Sequence, residues 1–440
     1  MHSRVAVIGA GYTGLVVALR LAEAGCNVTI FEKESSVGGL VGSFKIEGSL
    51  IEKSYHHIFK TDQDIINLIN ELGASDKLKW HKSSVAICYH GKVYPFVTAQ
   101  DLIKFKPLSL INRFRAGLVV IYLQRTNRWH RFQHVSAYKW MRKTSGKQVT
   151  NVIWGPLLKG KFDKWYDKVS MAWLWARIHI RANSKDKDSK SELLGYFDGS
   201  FQVFTNIIMA KLKQLKVTVI TGEEIKEIIS QSNKKILINS TGGRQTYDIC
   251  VSTVPSKIFT SLIGNNHAIN NSYITKLNSV EYLGARLVVF SSKQKLSSYY
   301  WHNINDLSLP FLVFLNHTQL VGKEPYNNNY IYYMGAYIPH NHHLFTCSNN
   351  ELDNIWFPAL KTIFPKFNKQ NIREKHHFRF ANAQHIVDTK YETKIPSYKT
   401  PLKNIYLANF TQIYPEDRGT NYAVREGEKL ARMILQKKSL

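Results

Sequence analysis

V-A-V-I-G-A-G-Y-T-G-L-V-V-A-L-R-L-A-E-A-G-C-N-V-T-I-F-E, residues 5–32, decides how the rest of the chain is built. Val5 to Ile8 is a short β-branched run of the kind found in a buried parallel strand. Gly9, Gly11 and Gly14 follow at G-x-G-x-x-G spacing. Leu15, Ala18, Leu19 and Ala22 then recur at helical spacing, and Gly25 is a C-cap for that helix. Val28 to Phe31 is a second strand, closed by Glu32. The three glycines serve different ends. Gly9 permits the tight turn, Gly11 lets backbone approach a pyrophosphate, and Gly14 lets the helix pack closely on the strand. Tyr12 and Thr13 open the helix, whose N-terminus presents free N–H groups to phosphate. Glu32, with Lys33 beside it, ends the second strand, where a carboxylate accepts ribose hydroxyls. Strand, glycines, helix, strand and acid in this order predict a dinucleotide site.

The glycine pair Gly38-Gly39, followed by Leu40, predicts a second close approach of backbone to the same phosphates. This extended pattern resembles the two-dinucleotide-binding-domain flavoproteins, the group that holds amine oxidases, protoporphyrinogen oxidases and phytoene desaturases. The resemblance implies FAD, held non-covalently, rather than NAD. Later stretches carry the same likeness. Tyr196 to Phe201 is similar to the Y-x-x-G-G return into the FAD domain, with Ser200 in place of one glycine. In the family, backbone near Ile225 bonds the adenine. Asp248 to Pro255 resembles the D-x-V-V-x-T-V-P strand, which adds Thr253 and Pro255 to the cofactor residues. The closing run from Asn409 to Gly427 is similar to the family's last motif and implies contacts from Arg418, Gly419, Thr420, Asn421 and Ala423. Asn409 stands there where a glycine is usual.

Glu52, Lys53, His57, Ile58, Phe59 and Thr61 match a string that resembles one in UDP-galactopyranose mutases, beside the flavin; Lys60 departs from it. His56 and His57 are therefore candidate catalytic residues that touch ring or substrate, with side chains that titrate near neutrality. The alternative is a pair of histidines bonded to backbone. Arg286 is a third catalytic candidate. With Tyr332, Tyr333 and Tyr337 it either lines a pocket or packs in an ordinary way.

Composition bounds the rest. A chain of 440 residues, 44% apolar, is globular and long enough for two or three domains. Lys and Arg number 59 against 32 Asp and Glu, a net charge of +27 that favours anionic partners. Cys26, Cys88, Cys250 and Cys347 show no paired spacing, which predicts reduced thiols and no metal site. The glycines near the N-terminus argue against a cleaved leader, and no apolar run approaches the ~20 residues of a spanning helix. From Leu102 to Arg181 the only acids are Asp163 and Asp167, and six of the nine tryptophans fall here. Such a segment is either a membrane interface, with Trp173 and Trp175 as anchors, or a helical subdomain with tryptophans in its core. The charge run Lys185–Lys190 reads as an exposed loop.

The expected fold class is α/β. A Rossmann-like FAD domain is assembled from residues 1–80, 196–268 and 401–440, with a helical basic insertion at 81–195 and a β-rich substrate domain at 269–400. Three functions stay open: hydride transfer between flavin and a hydrophobic or lipid-linked substrate, a mutase-like non-redox role on a nucleotide sugar, and non-catalytic binding. Expected partners are a small molecule, lipid-linked or phosphorylated, and an anionic membrane surface. Nucleic acid is disfavoured. The expected location is the cytoplasm, peripheral on a membrane's cytoplasmic face.

Overall fold

Strands from distant parts of the chain meet in one parallel sheet. In the computed structural model, which describes residues 3–184, 192–264, 266 and 269–438, these are β1 (Arg4–Ile8), β2 (Asn27–Glu32), β3 (Thr218–Thr221), β4 (Ile249–Ser252) and β5 (Ile405–Leu407). Their order is β3-β2-β1-β4-β5. β1 is central, with Val5 opposite both Val28 and Ile249. The two-residue period of a strand divides its side chains between two cores. Val5 and Val7 join the core holding Leu15, Val16 and Leu19 of helix α1 (Tyr12–Glu23). Ala6 and Ile8 join the opposite core, with Ile225, Ile238 and Phe259.

Helix α1 lies against the closing helix, Thr420–Lys438, at close range. A Cβ on Gly427 would stand 2.9 Å from Cβ of Val16 and 3.0 Å from the carbonyl of Thr13. Gly14 does the same work on the other side, since a Cβ there would fall 2.0 Å from the carbonyl of Gly9. The opposite face is covered by an antiparallel sheet of Ile225–Ser230, Ile236–Ser240 and Gly243–Tyr247. The sequence predicts a two-stranded ribbon here. Its third strand escapes pattern reading because Gly243 to Thr246 are all exposed and none is apolar.

A second sheet has seven strands. In order they are Ile372–His385, Tyr282–Ser292, Tyr330–Ile338, Val313–Asn316, Trp301–Ile304, Val85–Tyr89 and Lys92–Pro95. Every residue of Tyr282–Ser292 is buried. The sequence predicts a hairpin over residues 85–96 turning at His90-Gly91, and it forms there, with His90 at φ 48° and Gly91 at φ 68°. It pairs in parallel with Trp301–Ile304, so the insertion and the β-rich region share one sheet. Ile372–His385 was not legible. It is an edge strand carrying Arg373, Glu374, Lys375, His376, His377 and Arg379, and charge on an edge hides the apolar alternation while guarding against stray pairing.

The basic, tryptophan-rich region is helical, with Trp173 and Trp175 turned inward. Trp173 is fully buried and Trp175 is 8% exposed, inside a core with Phe132, Leu158 and Phe162. Trp175 also donates to the carbonyl of Thr126 at 2.9 Å. The expectation that these two indoles anchor a membrane is therefore corrected: they are needed to hold the helices together. Most of the exposed large apolar residues among those described lie on the Leu110–Arg125 helix. All four cysteines are buried thiols. Among the described residues no helix is long and apolar enough to cross a membrane. The run Lys185–Lys190 lies outside the described residues.

Candidate active site

The loops at the C-terminal ends of β1, β2 and β4 enclose a cleft of about 740 Å³. Gly9 leaves β1 at φ 100° and donates to the carbonyl of Phe31 at 2.8 Å, which folds the chain into α1. A Cβ on Gly11 would meet nothing within 4 Å, so this glycine faces open space where its neighbour Gly14 faces backbone. Gly38 and Gly39 have φ 112° and 59°, and Gly38 donates to the carbonyl of Ala10 at 2.8 Å. The second glycine pair thus lies against the first loop. A Cβ on Gly39 would come within 3.2 Å of the Cα of Gly11. The carboxylate of Glu32 is aimed back into this turn, accepting from the N–H of Ala10 at 2.8 Å and of Glu34 at 2.9 Å.

Most of the expected cofactor residues border this cleft. Gly9, Gly11, Tyr12, Thr13, Glu32 and Lys33 line it, as do Gly38, Gly39 and Leu40. Ile225, Thr253 and Pro255 close it from the second segment, and Asn409, Arg418, Gly419, Thr420 and Ala423 from the last. Tyr12 offers backbone to the cleft, because its ring packs edge-on against Phe204 with centroids 6.0 Å apart. Two of the expected residues lie outside the cleft. Gly14 does not line the cleft, its space being taken by helix–strand packing. Asn421 lies outside it too, bordering instead an inner chamber, where it accepts from the N–H of Ile65 at 3.0 Å and donates to Asp64 at 3.1 Å, tying the closing helix to the helix Gln63–Glu71. Asn409 replaces a glycine without strain, since its φ is −148°. Its amide donates to the carbonyl of Val254 at 2.8 Å and so joins the loops after β4 and β5.

Ser200 replaces a glycine at greater cost. Its φ is 80°, a region L-residues seldom adopt, and its hydroxyl accepts from the N–H of Gln202 at 3.2 Å. The turn is held from outside by Glu52, which accepts from Tyr196 Oη and the N–H of Phe201, both at 2.7 Å. Burial pushes the Glu52 carboxyl up to about 7, against the lowering effect of those bonds.

A second, inner chamber of about 210 Å³ shares Leu40, His56, Phe380, Arg418, Gly419 and Thr420 with the cleft. His56 and His57 both line it. Their chemistry is not as expected. Burial pushes His56 down to about 4 and His57 to about 3, so both are neutral near pH 7. His56 Nδ1 bonds the carbonyl of Ser54 at 2.7 Å and His57 Nδ1 lies 3.3 Å from Tyr300 Oη. Neutral imidazoles fixed in this way orient and polarise a neighbour rather than trade protons with water.

Arg286 does not enter the chamber. Its neighbours in the strand, Ala285 and Leu287, line it, and alternation turns Arg286 to the far face, where its Nη2 donates to Asn349 at 3.2 Å. The same rule turns Tyr332 away from the chamber, whereas Tyr333, four residues from Tyr337, shares its face but is spent on a backbone bond. Tyr337 lines the chamber. Tyr332 bonds the carbonyl of Gln294, and Tyr333 donates to the Glu52 carbonyl at 2.7 Å.

What sequence reasoning missed is a charged cluster. Lys161, Arg177, Arg181 and Arg418 line the chamber together with Asp417 and the phenols of Tyr55 and Tyr337. Arg177 and Arg181 lie four apart on the Met171–Asn183 helix, hence on one face. Lys161 and Arg177 both donate to the same oxygen of Asp417, at 2.7 and 3.1 Å. Burial acts to raise the Asp417 carboxyl, but Lys161, Arg177 and Arg418 overcome it and hold Asp417 well below the carboxylate range. Arg418 Nη2 donates to Tyr337 Oη at 2.8 Å. Burial acts to raise this phenol too, yet Arg418 and Lys161 leave it below its ordinary value.

The glycine cradle, the open face of Gly11 and the carboxylate at the end of β2 fit a dinucleotide, which these residues would hold by its phosphates and ribose. The chain is similar to the mitochondrial protoporphyrinogen oxidase of Nicotiana tabacum, 28% identical over 172 residues, which is 38% of this chain and 34% of that one. Its fold is like that of a putative protoporphyrinogen oxidase from Exiguobacterium sp. 255-15, with TM-score 0.77, 16% identity and 99% of each chain covered. It is also like that of a reduced UDP-galactopyranose mutase, with TM-score 0.76, 16% identity, and 99% of this chain and 94% of that one covered. At such identities the solved structures speak for fold alone. The family model described as flavin containing amine oxidoreductase matches residues 12–435, nearly the whole chain. The chain belongs to the flavin-containing amine oxidoreductase family, and its cofactor is FAD.

Proposed function

We propose that this protein is an oxidoreductase that takes a hydride from a largely apolar substrate held in the inner chamber. One observation carries the reading: the nucleotide cleft and the chamber share a seam of six residues, so cofactor and substrate meet there. Bound FAD supplies the two-electron acceptor. The chain supplies position. Gly11, Gly38 and Gly39 give backbone access to the pyrophosphate, Glu32 holds the ribose, and His56 and Arg418 border the seam on the protein side. Leu287, Val313 and Phe380 give the chamber apolar walls that exclude water. Substrate added without oxygen is expected to bleach the flavin of purified yellow protein. Turnover that begins only after the flavin is reduced, and leaves it reduced, would favour the mutase-like alternative instead.

We also propose that the protein works on an anionic membrane surface. Supporting this, one face of the Leu110–Arg125 helix exposes Leu110, Ile111, Phe114, Leu118 and Ile121 at 62, 80, 69, 68 and 46%. Its other face packs on the helical core through Ala116 and Leu123. Exposed Lys104, Lys106, Arg115, Arg125 and Arg128 flank the stripe, and no acid occurs between Leu102 and Phe162. Apolar residues ringed by cations match the interface of acidic lipid. Flotation with vesicles containing phosphatidylserine, lost in Phe114→Ser/Leu118→Ser, is the expected result. Concentration-dependent dimers with no flotation would overturn it.

A further inference from the structure

The inner chamber carries more positive charge than its own acids neutralise. Arg181 is answered by Glu192, at 3.6 Å. Lys161, Arg177 and Arg418 remain around a single carboxylate, Asp417. Lys161 and Arg177 converge on the same oxygen, Oδ2, while Oδ1 is buried with no hydrogen-bond partner. Arg418 Nε is likewise buried and unpartnered. Asp62, the other acid in the lining, is turned to the N–H of Phe59 at 2.8 Å, and burial pushes it up to about 7. Removing cations from water costs several kcal/mol each unless a partner repays it. One carboxylate does not repay three.

The aromatic residues reinforce the imbalance. Lys161 Nζ lies 5.1 Å from the Tyr337 ring centroid and 5.6 Å from that of Trp173, and the Arg177 guanidinium lies 5.9 Å from the latter. Arg418 is 5.7 Å from Tyr337. These rings fix the cations in place, as cation–π contact does in desolvated sites, without neutralising them. Leu157, Ile180, Leu287, Val313 and Phe380 give the lining an apolar part.

We infer that the substrate of this chamber is an amphiphile with an anionic head, a carboxylate or a phosphate, seated against Lys161, Arg177 and Arg418, with its apolar body against Leu287, Val313 and Phe380. This rests on the reading of the chamber as the substrate site. It sets the protein apart from the amines in its family's name, since an ammonium would meet the cation cluster head-on.

The test is calorimetric titration of flavin-loaded protein with decyl phosphate, decanoate, decanol and decylamine, which share one chain length. At least one anion should bind about tenfold or more tightly than decanol, and decylamine more weakly still. Which anion binds more tightly names the head group. Lys161→Gln should lose most of that advantage, while Arg177→Lys, which keeps the charge, should retain it. Should Lys161→Gln fail to fold, competition by inorganic phosphate against decanoate on unaltered protein reads the same site and should weaken decanoate binding. Decanol or decylamine binding as tightly as both anions overturns the inference, as does indifference to inorganic phosphate. Failure of the redox reading looks different: anion preference would persist while no substrate bleaches the flavin.

Discussion

The cleft and the chamber touch, share residues, and are built on opposite plans. The cleft is made of backbone. Its shape comes from Gly9, Gly11, Gly38 and Gly39, and its polarity from the N-terminus of α1. The chamber is made of side chains, brought together from the helices Gly155–Phe162 and Met171–Asn183, the strand Tyr330–Ile338 and the loop before Thr420. Backbone sites are encoded by neighbours in sequence, and side-chain sites by neighbours in space. Hence a cleft of this kind can serve a whole family while the chamber beside it is free to change ligand.

The sharpest way to break this contrast is to fill the glycines of the cleft. Gly14→Val puts a side chain into the carbonyl of Gly9, and a loss of about 3 kcal/mol or more in unfolding free energy is expected, seen as a large drop in melting temperature. The Cβ of Gly11→Ala meets no atom within 4 Å and the φ of −73° suits any residue, so the apoprotein should melt normally while FAD affinity collapses. Equal melting temperatures for the two variants would show that Gly14 is no packing glycine.

In the chamber the comparable experiment removes the one anion. Asp417→Asn leaves Lys161 and Arg177 without their shared partner, a change expected to cost about 3 kcal/mol in free protein. Decyl phosphate should restore more stability to this variant than to the parent. No such recovery would mean that the cations answer to Asp417 alone.

A smaller effect tests the joint between the two regions. The folded Glu52 carboxyl titrates at about 7 against 4.5 when exposed. A raised carboxyl destabilises its ionised form, so its penalty is absent below 4.5 and grows as pH rises toward about 7. The stability of wild type relative to Glu52→Gln should therefore rise by about 2 kcal/mol as pH falls from about 7 to about 5. His56 and His57 act in the opposite sense, because their folded values lie below 6.5 and stability is lost as pH falls past it. They are present in both proteins and cancel. A difference that is flat with pH would place Glu52 in water. Smallest of all, Phe114→Ser/Leu118→Ser should change unfolding free energy by under about 0.5 kcal/mol, since neither side chain is packed. A large loss would mean that this face is core.

Legibility followed the same division. Val5 to Glu32 announced itself because strand, turn and helix each obey a local rule. The hairpin at 85–96 did so through His90-Gly91. Arg286 misled because its strand is buried on both faces, so periodicity gave no sign of which face meets the chamber. The tryptophans misled because composition reports how many indoles a segment has but not which way they turn. Lys161 and Arg177 left no mark, since a buried cation and a solvated one look alike until Asp417, some 240 or more residues on, is placed beside them.

The contact between Gly427 and Val16 has a consequence for biogenesis. The wall of the cleft that runs from Arg418 to Ala423 is delivered by a helix that must dock on the first helix of the chain. During synthesis the opening βαβ unit leaves the ribosome hundreds of residues before its partner does. Until then the dinucleotide has only half a vessel, so flavin loading waits for the helix Thr420–Lys438, and a chain truncated before residue 420 should emerge colourless.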